Sequence, residues 1–300
     1  MAIGRLGIAA LCLALLTSAG HAGWREDIGV FRIGMAATPG NGAVVEGGDA
    51  IRAAYAAALD MPVEIFVARD YPVLVDAQAS GRIDYAIHTA ASYAAAWQLC
   101  SCVEPIAAPV ADDGSTGIRS VLVARADGPA SAEMLTGARV ALGPADSASG
   151  YLLPLAEFRL GGVALTGGEP FLVPVSSESE AEAKLIAGEV NAIFGYVRSS
   201  SDESAAAGGT PERLANLGQA GLRTIWTSAL LRNGPHAVRS NLPVEAKEAL
   251  RAFLIGLREA DEKVYESLER RFSGGFESAL HEDYAPAIEM VNVKRSSTKN

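Results

Sequence analysis

The feature that most constrains this chain is a strand–helix–strand pattern that occurs twice. Val63-Glu-Ile-Phe-Val-Ala68 reads as a strand and Asp70 as the N-cap of a helix running to Ser80. After Gly81, Ile83-Asp-Tyr-Ala-Ile-His88 reads as the next strand. Downstream, Pro170 to Val175 reads as a strand, Glu178 to Ala187 as a helix, and Val190-Asn-Ala-Ile-Phe-Gly195 as a strand. The joints echo one another: Gly81-Arg-Ile-Asp-Tyr-Ala against Gly188-Glu-Val-Asn-Ala-Ile. Alternation of this kind implies a parallel sheet with covering helices. Two such units in one chain predict two α/β lobes with a cleft between them. Ligands in open α/β sheets collect beyond the carboxyl ends of the strands.

The rest of the chain extends this pattern. Val30 to Ala37 predicts a first strand, Thr38 to Gly48 a Gly-rich loop, and Asp49 to Leu59 and Ala90 to Leu99 helices. Ala138 to Gly143 predicts a strand, Ser149 to Arg159 a helix, and Arg198 to Gly209 a surface loop. The extended stretches Ile118–Ala124 and Leu222–Ser228 are expected to cross between the lobes. Lobe 1 then comprises residues 23–122 and 225–300, and lobe 2 residues 123–224. Helices are expected at Pro243–Gly256 and Glu259–Phe272, with a frayed polar tail from Lys294.

Residues 1–22 read as a signal peptide. Arg5 precedes an apolar run, Leu6 to Leu16, and Gly20-His21-Ala22 has the small-x-small form of a cleavage site. The run is about half of the roughly 20 residues that a membrane span needs. Export to the periplasm, with Gly23 as the new N-terminus, is the expectation. Cys12 lies too early, after too large a residue, for a lipid attachment site. A net charge of −10 without a basic stretch excludes nucleic acid as a partner. On its face that charge also argues against an anionic ligand. Two cysteines remain after the leader, Cys100 and Cys102. One intervening residue makes a mutual disulfide strained, which leaves buried thiols, a strained redox pair or a soft-metal ligand. Two ligands do not make a zinc site.

The strongest local signal is Gly143-Pro-Ala-Asp-Ser-Ala-Ser-Gly-Tyr151, a strand end, a small-residue loop and a helix start. Backbone N–H groups at such a terminus, with the Ser147 and Ser149 hydroxyls, can hold an oxyanion without a formal positive charge. The plainer alternative is that Ser147 or Ser149 caps the helix. Tyr71 and Tyr93 sit at the starts of successive helices, placed for ligand contact or for packing. Glu178 opens the next helix, where an acid also complements the helix dipole. His88 ends a strand and faces either the cleft or the core. No Gly-x-Ser-x-Gly, His-Glu-x-x-His, P-loop or Gly-x-Gly-x-x-Gly motif follows a strand, so no catalytic residue, metal site or cofactor is expected.

These residues resemble a known family, the periplasmic phosphate/phosphite/phosphonate-binding proteins of ABC transporters. Ser147-Ala-Ser-Gly-Tyr-Leu-Leu-Pro154 is similar to the family's Ser-Thr-Ser-Gly-Tyr motif. Gly81-Arg-Ile-Asp-Tyr-Ala, Ser92-Tyr93, Val103-Glu-Pro-Ile-Ala107 and Gly188-Glu-Val-Asn-Ala also fit, and the likeness runs from about Phe31 to Val291. The resemblance implies a two-lobed fold with a hinge, closing on its ligand. It implies oxyanion contacts from Tyr71, Tyr93, Ser147, the Ala148 backbone and Ser149. It implies as partners a small oxyanion ligand and an inner-membrane ABC permease, with the protein acting as a monomer.

Three positions depart from the family pattern. Ala148 replaces a Thr and loses a hydroxyl donor. Glu178 stands where a His is usual, an acceptor where an oxyanion wants a donor. Tyr196-Val-Arg198 replaces the carboxylates that hold the amine of an aminoalkylphosphonate. The cysteines bring a second branch into view, which resembles arsenite-sensing periplasmic proteins that work with a membrane histidine kinase. The alternative function is therefore a sensor for an oxyanion or arsenite.

Overall fold

The computed structural model describes residues 23–37, 45–200 and 208–297. The expected signal peptide and most of the expected Gly-rich and 198–209 loops lie outside the described residues. The first pass of the chain gives α1 (Trp24–Ile28), β1 (Phe31–Ala36), α2 (Gly48–Leu59), β2 (Val63–Ala68), α3 (Tyr71–Ala79), β3 (Tyr85–Ile87), α4 (Ala90–Cys100) and β4 (Val103–Pro109). The middle section gives β5 (Gly117–Ala124), β6 (Val140–Leu142), a π-wound turn (Ala148–Leu152) leading into α5 (Leu153–Glu157), a small hairpin of β7 (Arg159–Leu160) and β8 (Val163–Ala164), β9 (Leu172–Pro174), α6 (Glu178–Ile186), β10 (Ala192–Ser199), α7 (Thr210–Asn216), β11 (Arg223–Thr227) and β12 (Leu231–Arg232). The return gives β13 (His236–Arg239), α8 (Val244–Ala260), α9 (Glu262–Leu268), β14 (Phe276–Ser278) and α10 (Ala285–Ser297).

These strands form one large sheet per lobe, built to one plan. In lobe 1 the order is β14-β4-β13-β3-β1-β2, and in lobe 2 it is β11-β5-β10-β6-β9 with β12 also paired to β5. Strand β1 lies parallel between β2 and β3, and β6 lies parallel between β9 and β10. Each trio is extended by an antiparallel strand from the other pass of the chain: β13 on β3, and β5 on β10.

The sequence echo has a structural cause. Gly81 and Gly188 both take left-handed backbone conformations, at φ 77° and 74°, which favour glycine. Beside them, Arg239 Nη1 donates to the Gln78 carbonyl and Arg125 Nη1 to the Leu185 carbonyl, each at 2.9 Å. In each lobe an arginine at the end of the antiparallel strand thus holds the last turn of the preceding helix, where cations are favoured. The Asp84 carboxylate and the Asn191 side-chain carbonyl likewise accept from the N–H groups of Arg32 and Arg139, both at 2.8 Å.

The stretches expected to cross between lobes do not. Ile118–Ala124 belongs to β5, and most of Leu222–Ser228 to β11, both within the lobe 2 sheet. The chain passes between sheets at residues 110–116 and 233–235. A β-branched run looks the same from sequence whether it crosses or pairs, and β5 pairs with β10 along its whole length. At Gly234 a Cβ would lie 2.0 Å from the His88 carbonyl oxygen, so only glycine fits there without movement.

Other elements are absent from the sequence reading. Strand β4 holds Pro105 and Pro109, and proline argues against an internal strand. Here the ladder shifts register between His236 and Ala237, and Pro105 sits opposite Ala237 at that irregularity. Helix α10 continues into the expected tail as far as Ser297 and buries Ala287 and Met290. Its cluster contains Tyr93 and Tyr284 from lobe 1 and Leu152, Leu153 and Leu231 from lobe 2, so the lobes share a core behind the cleft.

Cys100 and Cys102 form a disulfide, so of the sequence alternatives only the bonded pair remains. Ser101 between them is left-handed at φ 49°, which folds the chain back and sets the Cα atoms 5.0 Å apart, within the usual disulfide range. The reading as thiols or soft-metal ligands does not hold for a bonded pair.

Candidate functional site

The interlobe cleft holds a cavity of about 670 Å³. Its lobe 2 wall is the loop after β6. Ser147 N–H donates to Pro144 O at 2.8 Å, and the Ser147 hydroxyl accepts from Gly150 N–H at 2.9 Å. Gly143 N–H donates to Gly150 O at 2.9 Å, pressing strand end and helix start together. A Cβ at Gly143 would lie 3.1 Å from Gly150 Cα, which accounts for the small residues. Ser147 is therefore the helix cap. The first-turn N–H groups of Ala148 and Ser149 have no intrahelical acceptor by helix geometry, and both residues line the cavity.

Ser149 is buried and doubly held. Its carbonyl accepts from the Ser120 hydroxyl at 2.6 Å, and its hydroxyl donates to Glu178 Oε1 at 3.2 Å. Glu178 opens α6 directly after its cap, Ser177, and stands at the carboxyl end of β9. Arg213 Nη2 lies 3.6 Å from Glu178 Oε2 and 2.6 Å from Glu182 Oε1. Arg213 also donates to the Tyr196 hydroxyl at 3.0 Å and lies over its ring. The acid at 178 is thus paired with a cation that sequence did not connect to it, since α7 brings Arg213 from a distant part of the chain. Arg198, also in the wall, is paired with Asp113 at 3.1 Å.

Lobe 1 supplies the opposite wall through Arg271 and Phe272. Sequence placed both within a helix ending at Phe272. The structure ends α9 at Leu268 and turns 269–275 into a loop facing the cleft. The Glu269 carboxylate holds one end, accepting from His236 Nε2 at 2.8 Å. The Tyr265 hydroxyl holds the other, donating to Phe272 O at 2.8 Å and accepting from Gly275 N–H at 3.0 Å. Ser273-Gly274-Gly275 was the available signal for this early stop.

The expected site residues divide into two groups. Ser147, Ala148, Ser149 and Glu178 meet on one cavity wall. Tyr71 lines an adjoining cavity of about 320 Å³ that also reaches Arg271. Burial pushes the Tyr71 phenol above its ordinary pKa range, and the nearby Arg271 pulls it down. Tyr93 and His88 do not reach the cleft. Tyr93 is fully buried, with its hydroxyl 2.8 Å from His281 Nδ1 and its ring against Tyr284. Helix α4 presents Tyr93 to the turn His281–Tyr284 that leads into α10, elements sequence did not reveal. His88 is buried between Gln78 Oε1 at 2.7 Å and the Ser92 hydroxyl at 3.0 Å. Desolvation, aided by His236, lowers its pKa to about 3, so it is a neutral core residue.

Among the described residues, no group of three or more His, Cys, Asp and Glu side chains could hold a metal ion. No described helix is long and apolar enough to cross a membrane.

Two solved structures share this architecture. One is a Xanthomonas citri protein bound to ATP, 18% identical, covering 90% of this chain and 98% of that one at a TM-score of 0.56. The other is PhnD1 from Prochlorococcus marinus in complex with methylphosphonate, 14% identical, covering 91% and 99% at a TM-score of 0.50. Likeness at these identities concerns the fold alone. The sequence goes further: residues 33–284 match the profile of the family described as "ABC transporter, phosphonate, periplasmic substrate-binding protein". The chain belongs to that family of ABC-transporter solute-binding proteins, whose members bind and hand over a solute rather than convert it.

Proposed function

We propose that this protein captures a small oxyanion of the phosphate, phosphite or phosphonate class and delivers it to an inner-membrane ABC permease. It acts in the periplasm as a monomer after loss of residues 1–22. One observation carries the reading: Ser147, Ala148 and Ser149, the cap and first-turn residues of this helix start, line the interlobe cavity. Aligned N–H groups favour an anion there without a formal charge. The acidic net charge of −10 therefore does not exclude an anionic ligand, because the recognition is local.

Glu178, which stood against an oxyanion in the sequence, is consistent with one once Arg213 is placed beside it. The absent hydroxyl at Ala148 leaves the backbone N–H as that residue's only donor. The alternative as an arsenite sensor has lost its chemical support. It needs free thiols, whereas Cys100 and Cys102 are bonded to each other. Cys100 also lies about 15 Å along the helix from Ala90, at 1.5 Å per residue.

Calorimetric titration with phosphate, phosphite and methylphosphonate tests the proposal. At least one is expected to bind. Ser147→Ala combined with Ser149→Ala should weaken it by about tenfold or more, since hydrogen bonds to charged groups contribute about 1.5–3 kcal/mol. Unchanged affinity would remove this helix start from the site.

A further inference from the structure

The cations around the cleft are not equivalent. Arg198 is paired with Asp113, and Arg213 with Glu182 and Glu178. Arg270 is paired with Glu46 at 2.6 Å, and the neighbouring Glu269 is engaged by His236. Arg271 has no ion-pair partner among the described residues; its nearest aromatic contact is the Phe272 ring at 5.8 Å. It nevertheless borders the interlobe cavity of about 670 Å³ and two cavities lined by lobe 1 residues, of about 520 and 320 Å³. The loop carrying it is fixed at both ends, by Glu269 on His236 and by Tyr265 on Phe272 and Gly275. An uncompensated guanidinium is thus held facing a cavity whose opposite wall is the helix start after Ser147.

Resting on the oxyanion reading above, we propose that Arg271 is the residue through which lobe 1 recognises the anion seated on lobe 2, and that it selects phosphonates whose free end is uncharged or anionic over those ending in an amine. An anion between the two walls gains a charge-assisted, two-pronged contact that the seat alone lacks. A carboxylate at the free end gains the same contact. An ammonium there meets the like charge of Arg271. Three acids in the same cavity wall favour the opposite preference: Glu178 faces Arg213 and Asp112 faces Arg198, whereas Asp146 has no ion pair among the described residues.

The test is titration of the full mature chain with methylphosphonate, phosphonoacetate and 2-aminoethylphosphonate, repeated on Arg271→Gln and Arg271→Lys. Wild type is expected to bind phosphonoacetate and methylphosphonate at least about tenfold more tightly than 2-aminoethylphosphonate, as a charge-assisted contact allows. Arg271→Gln should weaken the two preferred ligands by about tenfold and erase the ranking, whereas Arg271→Lys keeps the ranking with part of the affinity. Arg271 is exposed, and an unchanged melting temperature for the variants excludes misfolding as the cause. Tightest binding of 2-aminoethylphosphonate, or a ranking that survives Arg271→Gln, overturns the role of Arg271 and leaves the oxyanion reading standing. Failure of all three ligands and of phosphate and phosphite overturns both.

Discussion

Lobe 1 and lobe 2 share a frame and differ in what fills it. The shared part is the parallel trio, the antiparallel fourth strand, the left-handed glycine and the arginine that holds the helix end. Even the helix starts correspond. Tyr71 follows the cap Asp70 in α3, and Glu178 follows the cap Ser177 in α6. The interiors differ. Lobe 2 packs Phe158, Phe194 and Trp226 edge to face. Lobe 1 buries a polar chain instead: Tyr55 to Tyr85 at 2.6 Å, Tyr85 to His236, and His236 to Glu269. That chain ends at the loop carrying Arg271, for which lobe 2 has no counterpart. The difference teaches that a repeated scaffold can hold a seat on one side and an uncompensated cation on the other.

The sharpest way to break the comparison is through the aromatic core. Phe158→Ala should cost about 3–5 kcal/mol, because deleting a fully buried ring leaves a cavity as well as lost transfer energy. Urea unfolding measures it, and a value below 1 kcal/mol would mean that the triad does not organise lobe 2. Tyr85→Phe should cost less, about 1–3 kcal/mol, by orphaning two buried partners in the polar chain. It should also loosen the 269–275 loop, seen as faster amide exchange at Glu269 and Arg270. An intact loop would disconnect the chain from the cleft.

The shared frame makes a matched pair of predictions. Gly81→Ala and Gly188→Ala should each destabilise by about 1–2 kcal/mol, the cost of a left-handed backbone for an L residue. In each case the new Cβ would also meet an arginine at 3.1 Å. Effects that differ by more than about 1 kcal/mol, within the usual cost of left-handedness, would show that the echo is one of sequence and not of energetics.

The smallest expected effect concerns pH. The unfolded chain takes up a proton on His88 below about pH 6.5, while the folded chain resists until about pH 3. Stability contributed by neutral His88 is therefore present above 6.5 and declines as pH falls through that window. One unit below 6.5 the loss is about 1.4 kcal/mol. His88→Gln should flatten the slope relative to wild type, and parallel slopes would mean that His88 gains its proton in the folded state.

Much of this was legible from sequence because the relevant signals are local. Asp70 reads as a cap and accepts from Val73 N–H at 2.9 Å. The small residues from Gly143 to Gly150 read as a close approach of strand and helix, and they make one. Tyr93 and His88 were ambiguous because their alternatives differed only in what packed against them. Glu178 was unexplained because Arg213 comes from another helix. Arg271 was hidden because the loop that carries it is held by contacts of Glu269 to His236 and of Tyr265 to Phe272 and Gly275, and only the small residues 273–275 mark it locally.

By itself the sequence determined two α/β units, their joints, the small-residue helix start and the family. Each follows from periodicity, backbone conformation or motif spacing within a few residues. The tertiary structure alone decided which strands share a sheet, which charges cancel and which remain. It joined Cys100 to Cys102, turned Tyr93 toward His281, paired Glu178 with Arg213 and left Arg271 facing the cleft. The reason is physical. Local preferences act through bonds along the chain, whereas burial and charge pairing depend on neighbours that only the folded chain brings within reach.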